Sequence, residues 1–553
     1  MQLPAEMRET GTTSEEDSGL PLERSTGQRI VVGLLSSLVL GLSGLLPLKA
    51  AEQLEVQLDG MVIPIKIEDL AQWGKSKPED RSELSIWLRL LDRESREGLQ
   101  KLLQAPLLNN RSMARQMLHS WAGLKLLDEI SDLVRVDGDS RGTIFLNTLE
   151  QLLKQQSQVT AMDLLEALPA ERIRIDLDEL LLDAKRWYQH IQSQQQLVQA
   201  LRSVPVRGET MASGDGVEAL PSLGAQLIKL PVAHRRDPLP LHLWKPAPSA
   251  PSRGGWVALM PGLGGSPDHF RWLAAGLSLQ GWPVVVLEHP GSDAKAVQEL
   301  LEGRRPPPGA EVLPDRLADL KAVLTAHDQA ELPLPGERLV LMGHSLGALT
   351  AVLAAGAIPA DGLEQRCRRA LDGLPLTNLS RLLQCQLADV SLPTVDPRHD
   401  LQGIVALNSF GSLLWPRSGD ASIEVPVLLA GGTLDLITPP ASEQLALLLT
   451  ISSHPASRAL LFEGGSHFSP IQVPSDPAPG AGQDLFRLGD ELVGIKPQAV
   501  QRQLLVEITS FLEQVEKRER LEISAHLEID GLRLHRLNRA GIERLNLSPQ
   551  LSP

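Results

Sequence analysis

Two periodicities divide the chain. Over residues 82–103, 113–134 and 177–204 apolar positions recur every third or fourth residue with polar ones between, which predicts amphipathic helices packed on one another. Ahead of them, Leu54-Glu55-Val56-Gln57-Leu58 and residues 62–67 alternate instead, which predicts two short strands. From Gln226 onward the pattern becomes a series of short apolar runs: 225–232 and 239–244 as a hairpin, then 256–260, 284–287, 339–342, 404–407, 425–430 and 459–462. Helical segments fill most of the intervals. Strands that are apolar throughout and separated by helices predict a mostly parallel α/β sheet, covered on both faces, with an antiparallel start.

These shifts predict a leader over 1–51, a mainly helical N-terminal domain over 52–205, a Gly-, Ser- and Pro-bearing linker over 206–224, a larger α/β domain over 225–520 and a tail over 521–553. Within the leader, residues 30–46 are almost continuously apolar, follow Arg24 and Arg29 and precede the small residues Ala50 and Ala51. That reads as a signal peptide, or as an uncleaved membrane anchor at about 17 apolar residues. On either reading the rest of the chain is exported to the periplasm, a lumen or the exterior, or is anchored facing out of the cytoplasm. In the N-terminal domain Trp73, Trp87, Trp121, Trp187 and Tyr188 are expected to pack in the core or at an interface. The interval 358–401 is too long and too patterned for a loop; its leucine-rich pieces and its cluster Arg366, Arg368 and Arg369 predict a lid. Alternating charge and leucine in the tail suggest a short helix or disorder.

Composition removes some classes of function. With 553 residues and a formal net charge of -15, and with no basic run, the chain is not expected to bind nucleic acid. Two cysteines, Cys367 and Cys385, allow neither a multi-cysteine zinc site nor a disulfide scaffold; they form one bridge or remain two buried thiols.

The candidate chemistry begins at residues 338–350, where an apolar strand runs into Gly343-His344-Ser345-Leu346-Gly347 and then into a helix of small residues. Two glycines let a strand turn sharply into a helix, which lifts Ser345 clear of the sheet as a candidate nucleophile. A serine hydroxyl needs a base and an orienting acid. His467 follows the strand 459–462 in a glycine-rich loop, and Asp435 follows the strand 425–430, giving the chain order Ser, Asp, His. Glu463 is the rival acid, whereas Asp420 and Glu424 precede their strand. Among other histidines, His289 comes before the nucleophile, His344 is locked in the elbow, and His399 and His454 read as surface residues. For the oxyanion, one backbone N–H is expected from Leu346 and another from the loop Pro261-Gly262-Leu263-Gly264-Gly265, with Leu263 preferred and Gly264 as the alternative. No Lys-Ser/Thr follows that loop, so it is not a phosphate cradle. No cofactor and no metal is called for.

With these residues in view, the region from about 226 to 520 resembles the α/β-hydrolase superfamily, and especially bacterial proteins known as predicted dienelactone hydrolases, close to the platelet-activating-factor acetylhydrolase group. PGLGGSPDHFRWLAAGL, VLEHPGSDA, GHSLGA, GGTLDLITP and GGSHF carry the likeness. The N-terminal domain resembles the uncharacterised domain that precedes such hydrolases in cyanobacterial proteins. Two departures stand out: Pro261 takes the place of the histidine of a His-Gly pair, and Ser345 that of the cysteine of better-known dienelactone hydrolases. The resemblance implies a serine esterase or lipase acting on a small-molecule or lipid ester, phospholipids included, with membrane association in keeping with the leader. A peptidase on the same fold, or an envelope binding protein carrying a vestigial hydrolase, are the alternatives.

Overall fold

The computed structural model describes residues 51–75, 83–89, 92–104, 106–108, 116, 118–137, 139, 142–156, 158–205, 207–208, 224–373, 377–395, 398–417, 419–420, 423–472, 496–518 and 524–545. The expected signal or anchor lies outside the described residues, as does most of the linker 206–224. Among the described residues no helix is long and apolar enough to cross a membrane.

Eleven strands form one sheet, in the order Arg207–Gly208, Ala525–Ile529, Leu532–Asn538, Arg458–Phe462, Val427–Gly432, Leu401–Leu407, Arg338–His344, Gly255–Met260, Val284–Leu287, Leu239–Trp244 and Gln226–Leu230. The six from Arg458–Phe462 to Val284–Leu287 are parallel, and the expected antiparallel hairpin closes one side. Because successive strand side chains point to opposite faces, Leu339 and Leu341 feed one core while Val340 and Met342 feed the other. Helices Leu313–Asp328 and Leu346–Ala354 cover the first face; Arg271–Leu279 and Pro497–Lys517 cover the second. Neither face of the central strands meets water, which explains why these runs are apolar without alternation.

The tail differs from the sequence expectation. Residues 525–538 form an antiparallel hairpin whose second strand pairs with Arg458–Phe462, and a short helix, Arg539–Arg544, follows. Leu527, Ile529, Leu532 and Leu534 are buried in the second core, so the spacing that resembled a helix is the period-two pattern of strands. The sheet therefore extends beyond the expected boundary at 520.

The N-terminal part is less helical than expected. A four-stranded sheet of Met61–Lys66, Gln53–Leu58, Arg172–Asp176 and Val134–Val136 shares a separate core with its helices. The helix expected over 82–103 is two pieces, Glu83–Leu88 and Arg93–Gln104, and that expected over 113–134 is described as Trp121–Leu133, capped by Ser120. Of the aromatic anchors Trp73 is buried, whereas Tyr188 is 61 % exposed. The insertion 358–401 carries helices Leu363–Ala370 and Ser380–Gln386, bridged by a Cys367–Cys385 disulfide, which resolves the alternatives left open for the two thiols. Buried Glu443 fastens it from below, accepting from Asn378 Nδ2 (2.8 Å), Gln384 Nε2 (3.3 Å) and Ser412 Oγ (2.6 Å).

Candidate active site

Ser345 stands between the strand Arg338–His344 and the helix Leu346–Ala354 with φ 52° and ψ -118°. A side chain in this region costs about 1–3 kcal/mol and persists only where its surroundings impose it. Here Ser345 N–H donates to Leu407 O (2.8 Å), while close packing fixes the flanks. A Cβ on Gly343 would lie 2.2 Å from the Gly347 carbonyl, and one on Gly347 would lie 2.0 Å from Met260 O, so both glycines are required by close approach.

Across the carboxyl ends of the strands, His467 Nδ1 lies 2.9 Å from Asp435 Oδ2. Asp435 is fully buried. Its Oδ2 also accepts from Asn408 Nδ2 (2.8 Å) and Thr438 Oγ1 (2.6 Å), and its Oδ1 from the Ile437 (2.9 Å) and Thr438 (2.7 Å) N–H groups. Burial alone would raise its pKa; His467 and these donors outweigh that and hold the carboxyl below its ordinary value. His344 Nε2 donates to the His467 carbonyl (2.9 Å) and its ring lies beside that of His467. Burial, reinforced by His467, pushes the pKa of His344 down to about 3, so it stays neutral and serves to fix the loop. Among the described residues no hydrogen bond joins Ser345 Oγ to His467. Both border one cavity of about 410 Å³.

In the loop after Gly255–Met260, Gly264 N–H donates to Ser292 O (2.8 Å) and Gly265 N–H to Gly262 O (3.1 Å). Gly264 is thus engaged elsewhere. Among the described residues neither Leu263 N–H nor Leu346 N–H has a protein acceptor, and Leu263 borders the cavity with Ser345. Below this loop lies the buried Arg316, which donates to Pro261 O, Ser292 Oγ (2.8 Å) and Thr350 Oγ1 (3.3 Å). Burial lowers its pKa to about 9, so it remains cationic at neutral pH and ties the loop to the helix behind the elbow.

The rival acid is turned away: Glu463 accepts from His535 Nε2 (3.0 Å) and Arg202 Nε (2.7 Å). Asp420 accepts from Arg417 N–H (2.9 Å), and Glu424, His399 and His454 border a different cavity at the amino ends of the strands. Among the described residues no cluster of His, Cys, Asp and Glu could hold a metal ion.

Sequence reasoning missed five residues. Asn408 directly follows the strand Leu401–Leu407, the position that had singled out Asp435, and could have been found by the same rule. Arg316 lies within a helix and carried no local signal. Ser120, Trp121 and Ala122 border the cavity with Ser345 although they belong to the N-terminal part, where no site was expected.

Residues 50–176 match the model of a family described as "Alpha/beta hydrolase of unknown function (DUF1400)". The match falls on the N-terminal part rather than on the elbow, and it supports the α/β-hydrolase superfamily, in accord with the large parallel sheet. No curated protein matches the chain.

Proposed function

We propose that the protein is a serine hydrolase that cleaves carboxylic esters of apolar, lipid-like acyl groups. The observation that carries this reading is the strained Ser345 elbow opening on the same apolar cavity as a histidine hydrogen-bonded to a buried aspartate. In the first step Ser345 Oγ attacks the ester carbonyl while His467 Nε2 takes the hydroxyl proton. Asp435 holds the Nδ1–H and balances the imidazolium charge; Leu263 and Leu346 N–H groups receive the oxyanion. His467 then returns the proton to the departing alkoxide, and a water molecule, deprotonated by the same histidine, releases the acid from the acyl-enzyme.

The apolar lining supports an acyl substrate. The likeness to predicted dienelactone hydrolases and the platelet-activating-factor acetylhydrolase group favours an ester, phospholipids included, over a dienelactone, because the nucleophile is serine. The insertion 358–401 serves as the cover of the site, contributing Leu379, Leu382 and Leu383 to its lining. A disulfide within it supports an oxidising compartment, in keeping with export or anchoring outside the cytoplasm.

A fluorophosphonate probe is expected to label the wild type and not Ser345→Ala, whose hydrolysis of p-nitrophenyl esters should fall by about a millionfold. Labelling that survives Ser345→Ala, or a preference for amide substrates, would overturn the proposal.

A further inference from the structure

Part of the lining of the cavity beside Ser345 comes from outside the α/β domain. The helix Ser380–Gln386 begins at the Asp435 loop, where Leu379 N–H donates to Leu436 O (3.3 Å) and Ser380 N–H to Ile437 O (2.9 Å). It runs about 10 Å, and Leu382 and Leu383 face the cavity along the way. At its far end Gln386 Oε1 accepts from Ala310 N–H (2.8 Å), and three residues later Asp389 Oδ2 accepts from Trp121 Nε1 (2.9 Å). Near that end the lining joins Ser120, Trp121 and Ala122, at the start of the helix Trp121–Leu133, to Pro307, Pro308 and Gly309, which precede Ala310.

That wall is fastened on several sides. Trp121 packs against the cluster of Cys367, Cys385 and Leu413, so the disulfide backs the indole. Gln116 Nε2 donates to Gly303 O (2.8 Å), and Glu129 Oε2 accepts from Gly373 N–H (3.0 Å), so the same segment is tied to the α/β domain on one side and to the insertion on the other. A cavity of about 410 Å³ has room for roughly a dozen groups the size of a water molecule or a methylene.

We infer that the N-terminal part of the chain supplies the end wall of an acyl-binding site, with Trp121 setting the length of chain accepted. This rests on the serine-esterase reading. An acyl group bonded to Ser345 would lie along Leu382 and Leu383 with its methyl end toward Trp121, which makes the N-terminal part a piece of the substrate site and not an appendage. Medium-length chains fill the space, and longer ones meet the indole.

The test uses the full chain and p-nitrophenyl butyrate, octanoate and palmitate. In Trp121→Ala the ratio of kcat/KM for palmitate to that for butyrate is expected to rise about tenfold, the scale on which apolar pockets discriminate, with the change falling on KM for palmitate. Should that variant fail to fold, Ala122→Phe narrows the same wall and is expected to lower the octanoate-to-butyrate ratio by a similar factor. Ratios that stay at the wild-type value in a folded variant would overturn the inference; if Ser345 is still labelled by fluorophosphonate, the hydrolase reading survives that failure. A wild type with no Ser345-dependent label would sink both.

Discussion

His467 and His289 each bring Nδ1 to a buried aspartate, at 2.9 Å from Asp435 and 2.8 Å from Asp319. The remaining partners of the two carboxylates differ. Asp435 is hydrogen-bonded otherwise by neutral groups, the Asn408 amide, the Thr438 hydroxyl and two backbone N–H groups. Asp319 is gripped through both oxygens by Arg235 (2.5 and 2.7 Å) and touched by His234 (2.8 Å). Neutral dipoles orient a carboxylate without cancelling its charge, whereas a guanidinium neutralises it. Burial, with Arg316 adding to it, accordingly pushes the pKa of His289 down to about 4 despite its aspartate. A histidine on an aspartate is therefore no acid–base site by itself: the role proposed for His467 also draws on a carboxylate held by neutral donors and on a place beside Ser345 in the lining of a cavity, which His289 does not share.

The sharpest way to break the comparison is to remove one charge at a time. Asp435→Asn keeps the shape and is expected to lower kcat for ester hydrolysis by about ten-thousandfold; a fall of less than tenfold would put the orienting acid elsewhere. Asp319→Asn should act on stability instead. It strips the counter-charge from Arg235 and Arg316, at a cost of about 3–5 kcal/mol in urea unfolding, while the folded molecules lose less than tenfold in kcat. Equal losses of activity in the two variants would erase the distinction.

The smallest expected effect concerns pH. His289, with a folded pKa of about 4 against an ordinary 6.5, is neutral in the folded chain where the unfolded chain binds a proton. Its contribution to stability is therefore complete above pH 6.5 and is lost as pH falls toward 4, amounting to about 3 kcal/mol. His344 adds a loss of the same sign down to about 3. Thermal unfolding followed from pH 7.5 to 4 should decline less steeply in His289→Gln; an unaltered slope would mean that His289 is not held neutral.

Much of this arrangement was legible because it is local. The elbow, the strands on either side of it and the loops bearing Asp435 and His467 each announce themselves within about ten residues, through an apolar run ending in glycine. The period of two in residues 525–538 is equally local but ambiguous, since leucines separated by charged residues also fit an amphipathic helix. Arg316 and Trp121 belong to a different class. Each meets its partners only after segments far apart in sequence have come together, so no spacing within its own segment could reveal that one supports Pro261 and the other closes a cavity.

The strand that presents His467 takes its outer neighbour from Leu532–Asn538, and Glu463 N–H donates to Arg533 O (3.0 Å) at the point where the two strands part. In the order of synthesis, Ser345, Asp435 and His467 all leave the ribosome before that neighbour does. Until it arrives the histidine strand is a bare apolar edge, open to pairing with another chain. The segment expected to be a short helix or disorder is therefore the closing stitch of the sheet, and the nascent chain carries Ser345, Asp435 and His467 for some time before the strand ahead of His467 gains its outer neighbour.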